Sequence, residues 1–79
     1  MRPSKDPQTA LGAALSELRE EQGMTQHSIA KEAELPYAHY SDIESGKSKP
    51  LWGTMRRIAK AFDVTVAELA KREDAQSVD

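Results

Sequence analysis

At 79 residues with no cysteine, the chain suits one small domain and excludes a disulfide framework, a thiolate metal site and a cysteine nucleophile; it favours an intracellular compartment. No apolar run approaches the roughly 20 residues of a membrane span, and the opening MRPSKDPQT has no apolar signal core, so the expectation is a cytoplasmic protein with no membrane partner. The net charge of −2 hides a segregation: residues 17–44 carry two basic and seven acidic side chains, whereas residues 45–62 carry five basic ones and no acid. The second segment is a candidate anion-binding face, with a solvated helix and loop as the alternative.

Asp6 followed by Pro7 has the form of a helix start, an N-cap before a proline whose missing N–H costs nothing in the first turn. Leu11, Leu15 and Leu18, with Ala14, recur at three- and four-residue spacing, predicting a helix over 7–22 that Gly23 stops in the left-handed conformation. Thr25 is placed to cap a second helix with Ile29, Ala30 and Ala33 on its inner stripe; this helix is short because Pro36 disfavours helical geometry at Leu35. A third begins near Pro36, turns Tyr40 and Ile43 inward and ends at Gly46. After the loop SGKSKP, Trp52, Met55, Ile58, Ala59 and Phe62 keep helical spacing, with Gly53 weakening the first turn. TVAE, residues 65–68, has the form of a capping box and opens a last short helix carrying Val66 and Leu69. The closing EDAQSVD has no apolar periodicity and is expected to fray. Five helices with no strand and no internal repeat make an all-α bundle.

Enzymatic chemistry finds no support. There is no glycine-rich phosphate loop after a strand, no HExxH, and the two histidines, His27 and His39, are twelve residues apart. Ser41, His39 and Asp42 are near in sequence, but at offsets of two and one on a helix they project in different directions and form no relay. No catalytic residue, cofactor or metal ligand is assigned.

Two short helices joined across AELP cannot pack antiparallel over a useful length, so they should cross steeply as a helix-turn-helix. Over residues 11–69, about three quarters of the chain, the sequence resembles the Cro/repressor-type (Xre-like) helix-turn-helix DNA-binding family. The resemblance is carried by LREEQGMTQ (18–26), Ala30, YSDIESGKSKP (40–50) and IAKAFDVTVAEL (58–69). TQxxxA alone is a weak signal; the ordered set is specific. The chain departs from the family at Glu34, where glycine is usual at the turn, and at Pro36, where a small hydroxyl residue usually caps the helix. It departs again at Tyr40, usually aliphatic, and at Asp63, where glycine is common.

The resemblance implies a compact five-helix lambda-repressor-like bundle, with an arm over 1–6, the domain over 7–72 and a flexible acidic tail over 73–79. It implies a bacterial or phage transcriptional regulator, a repressor, that binds a double-stranded DNA operator as a homodimer and lies at the nucleoid when bound. Tyr37, Ala38, Ser41 and Asp42 occupy the positions that read bases. Gln26, Ser45, Lys47 and Lys49 fall where the family contacts phosphate, Gln26 also bracing the first reading residue, and His39 beside them is a candidate phosphate donor. Arg19 and Glu44 form a structural ion pair, and the dimer interface lies near Trp52, Val66 and Leu69. A rival expectation is an Xre-like module that binds a protein partner, as an antitoxin or regulatory subunit would. Its support is the acidic character of Glu32, Glu34, Asp42 and Glu44, where DNA would repel an exposed carboxylate.

Overall fold

The structure, a computed structural model, describes residues 9–76. Five helices follow in order: α1 (Ala10–Glu21), α2 (Gln26–Glu32), α3 (Tyr37–Ser45), α4 (Trp52–Ala61) and α5 (Val66–Gln76). The described residues contain no strand, and none of their helices is long and apolar enough to cross a membrane.

Side-chain caps set several of the starts. Thr9, in extended conformation, accepts from the Gly12 amide at 2.9 Å, so α1 begins at Ala10. The expected start at Asp6 and Pro7 lies outside the described residues; of the helix expected over 7–22, Thr9 is extended and residues from Ala10 are helical. Thr25 and Ser28 cap α2 reciprocally, and Thr65 and Glu68 form the predicted capping box of α5. Pro36 precedes α3 and Leu51 precedes α4, neither with a side-chain cap bond.

Four helix ends share one geometry. Gly23, Glu34, Gly46 and Asp63 take positive φ values of 68°, 61°, 86° and 61°. In each case the next amide returns to the helix, Met24 to the Arg19 carbonyl at 3.0 Å, and Leu35 to Ala30, Lys47 to Asp42 and Val64 to Ala59 at 2.9 Å. This is the Schellman arrangement, and two of the four left-handed positions are filled by carboxylate residues instead of glycine.

The core is built from Leu15 and Leu18 of α1, Ile29, Ala30 and Ala33 at α2, Tyr40 and Ile43 of α3, Ile58, Ala59 and Phe62 at α4, and Leu69 of α5. The α5 helix lies along α1, α1 also packs on α3, and α2 packs on both α3 and α4. Gly12 makes the approach of α1 to α3 possible, since a Cβ there would stand 2.1 Å from the Glu44 carbonyl oxygen.

Two placements differ from the sequence expectation. Trp52, which keeps helical spacing with Ile58, Ala59 and Phe62 and was expected near a dimer interface, is 65% exposed instead of joining them in the core, because as the first residue of α4 it lies ahead of the turn that reaches the core. The stretch from Glu73, expected in a tail, is helical through Gln76. Charge pairing carries α5 onward: Arg72 bonds Glu17 at 3.3 Å and Glu21 at 2.7 Å, and Gln76 donates to Glu17 at 3.2 Å. The Arg72 hydrogen bond holds the Glu21 carboxyl below its ordinary value.

Candidate nucleic-acid interface

The α2–α3 pair is tied to α1 through the carboxylate of Glu44. Glu44, 4% exposed, accepts at Oε2 from Arg19 Nε at 2.8 Å and from the Tyr40 hydroxyl at 2.7 Å. Its Oε1 accepts from Gln26 Nε2 at 2.9 Å and from Arg19 Nη2 at 3.4 Å. Arg19 also donates to the Met24 carbonyl, clasping the turn before α2. The expected Arg19 pairing with Glu44 is therefore present, with Glu44 buried and Arg19 half-buried, and among the described residues no buried side-chain polar atom lacks a partner. Burial, and then the bond to Glu44, push the Tyr40 phenol well above the tyrosine range; the Arg19 guanidinium is raised by the same carboxylate.

This hub reaches the surface. Tyr37, the first residue of α3 and 42% exposed, donates from its hydroxyl to Gln26 Oε1 at 3.3 Å, while the Gln26 amide nitrogen holds Glu44. Gln26 thus braces Tyr37, as the resemblance implies. The ring of His27 stacks on Tyr37 with centroids 3.8 Å apart and planes 4° from parallel. These contacts join the N-terminal turns of α2 and α3.

Helical periodicity divides α3 into two faces. Tyr40, Ile43 and Glu44 are buried, whereas Tyr37, Ala38 and His39 are exposed and Ser41 and Asp42 half-exposed. Lys47 and Lys49 are exposed in the loop after α3. Ser45 is half-buried, and its hydroxyl donates to the Asp42 carbonyl at 3.1 Å, which commits its one proton to the helix end. Glu44, counted among the acids that would repel DNA, faces inward instead and is neutralised by Arg19.

The five basic residues of 45–62 do not act as one patch. Arg57 turns its guanidinium back to the α2–α3 turn, donating to the carbonyls of Ala33, at 3.2 Å, and Glu34. It braces the turn that Glu34 enters at positive φ, a role that its sequence spacing does not announce. His27 was likewise not singled out by sequence, because its partner lies ten residues away across the turn. At the expected dimer interface, Leu69 is 1% exposed and belongs to the core. Trp52 and the half-buried Val66 instead line an apolar groove with Leu11, Pro50, Met55 and Ala70, flanked by Lys49 and Glu73.

Two short helices crossing about a clasped turn, the second presenting a polar outer face, define a helix-turn-helix protein. The helix-turn-helix family model matches residues 15–69, and the chain belongs to this family, in its Cro/repressor (Xre) branch. The HTH-type transcriptional regulator DdrOP3 of Deinococcus deserti is 34% identical over 55 residues, covering 70% of this chain and 43% of that protein. The chain spans less than half the length of the curated relatives it matches. The clp gene regulator ClgR of Corynebacterium glutamicum has the same fold, with a TM-score of 0.82 and 20% identity over 99% of this chain and 97% of ClgR. The restriction-modification controller protein C.AhdI of Aeromonas hydrophila superposes with a TM-score of 0.76 at 26% identity, over 77% of this chain and 92% of its own.

Proposed function

We propose that the chain is a transcriptional repressor that binds duplex DNA as a homodimer on a two-fold operator, with α3 in the major groove. The observation that carries this reading is the junction of the α2 and α3 N-terminal turns, where Gln26 and Tyr37 are bonded to each other beside the exposed Ala38 and His39 of α3. Tyr37, Ala38, Ser41 and Asp42 contact base edges; Gln26, His39, Lys47 and Lys49 engage phosphates and fix the register. The regulatory role of DdrOP3 and the controller role of C.AhdI support the reading. The second copy seats on the groove beside Trp52, whose flanking Lys49 and Glu73 carry opposite charges that two copies can exchange.

The test is a titration of selected and random duplexes over a range of salt. Affinity should fall steeply as salt rises, and Lys47→Ala or Lys49→Ala should weaken all duplexes similarly while reducing the logarithmic salt slope by about one unit. Binding that does not depend on salt, or no binding to any duplex, would reject DNA as the partner in favour of a protein.

A further inference from the structure

The family resemblance and the charge pattern leave His27 without a role, yet the structure gives its ring one contact, the face of Tyr37. We propose that His27 is a positioning residue for recognition: it holds the Tyr37 ring in the orientation in which it meets its base. The inference deepens the DNA-binding reading and rests on it.

Three restraints act on Tyr37. Its backbone opens α3, its hydroxyl is tied to Gln26, and one face of its ring is covered by the imidazole. A centroid separation of 3.8 Å with planes 4° apart puts the two rings face to face in van der Waals contact. The hydroxyl bond, at 3.3 Å and exposed, is long, so alone it leaves the ring free to swing; the stack removes that freedom. His27 can serve as a fixed wall because it stands in the first turn of α2, where the Thr25 and Ser28 box sets the backbone. The histidine assigned to the interface from sequence, His39, makes no such contact with Tyr37. An aromatic side chain already held in its bound orientation loses little rotamer freedom on binding, so more of its contact energy appears as discrimination.

The experiment compares the full chain with Tyr37→Ala, His27→Ala and His27→Phe, against an operator selected from random duplex and its single-position variants, at fixed salt. Tyr37→Ala should abolish preference at one operator position. His27→Ala should reduce discrimination at that same position by roughly 2- to 10-fold, leaving other positions and the salt slope unchanged, and His27→Phe should restore it. In the free protein, the ring-current shift of the Tyr37 ring protons should be lost in His27→Ala and kept in His27→Phe. His27 is exposed, so thermal denaturation should show all three proteins folded. Unchanged discrimination in His27→Ala, where Tyr37→Ala loses it, would overturn the proposal alone. A uniform loss in both His27 variants with a reduced salt slope would also overturn it, showing a phosphate contact instead. If Tyr37→Ala itself changes nothing, Tyr37 reads no base and the proposal falls, while salt-dependent binding of the selected operator would leave the DNA-binding reading standing.

Discussion

Removing a carboxylate from water costs several kcal/mol unless its lone pairs are filled, and Glu44 fills them with Arg19, Tyr40 and Gln26. Each donor comes from a different place: the end of α1, the middle of α3 and the start of α2. Losing either charge strands the other in a low-dielectric site. Glu44→Gln and Arg19→Met are each expected to destabilise the fold by about 3–5 kcal/mol. The double variant should lose clearly less than their sum, which a double-mutant cycle by urea denaturation measures; additive effects below about 1 kcal/mol would show an exposed pair. Tyr40 adds a pH dependence of definite sign. Its folded value lies above the unfolded value of about 10, so its contribution is complete below that pH and is lost as pH rises above it. The wild-type chain should therefore lose stability above about pH 10 more steeply than Tyr40→Phe, and the tyrosinate absorbance of Tyr40 should appear only with unfolding. Parallel stability curves for the two proteins would contradict this.

At the scale of elements, the helix ends were the most legible part of the sequence. Gly23 and Gly46 announce left-handed stops, Thr25 and the pair of Thr65 and Glu68 announce caps, and Pro36 divides α2 from α3. Glu34 and Asp63 adopt the same stop without glycine, at a cost of about 1–2 kcal/mol for the Cβ in that region, partly offset by the smaller backbone entropy lost on folding. Glu34→Gly and Asp63→Gly should each stabilise the protein by about 0.5–1 kcal/mol, read as a higher denaturation midpoint at unchanged slope. A loss of stability in either variant would mean that the carboxylate side chain contributes more than its backbone strain removes. The α1 start was less legible because Asp6 and Thr9 are both residue types that cap helices, and sequence does not show the Thr9 bond to Gly12 that caps α1. The end of α5 was missed because Arg72, Glu17, Glu21 and Gln76 hold it by polar contacts from α1, which leave no apolar period to read.

For the whole molecule, the fold follows from periodicity and caps, whereas the interface depends on contacts between elements that no local pattern encodes. Helical spacing put Tyr40 and Ile43 inside correctly, yet it could not tell that Leu69 closes the core while Trp52 stays outside. Nor could the count of basic residues show Arg57 turning away from solvent partners to brace the turn. Trp52, the single tryptophan, supplies a direct probe of the proposed pairing. A second copy seated on its groove would move its emission to shorter wavelength as concentration rises, and Trp52→Glu would hold the chain as a monomer in sedimentation. Emission and sedimentation that do not change with concentration, with or without operator, would remove this face from the dimer.

The grip of α1 on the last turn of α3, where Gly12 receives the Glu44 backbone, leaves the buried and outward positions of that helix with different tolerance to substitution. Its C-terminal end is mechanically committed, and a changed residue at Gly12 or Glu44 is felt throughout the fold. The outward positions 38, 41 and 42 contribute no side-chain partner to the core. A library randomised at these three positions should therefore consist largely of folded proteins, so that on the proposed reading the choice of target could change without disturbing the scaffold.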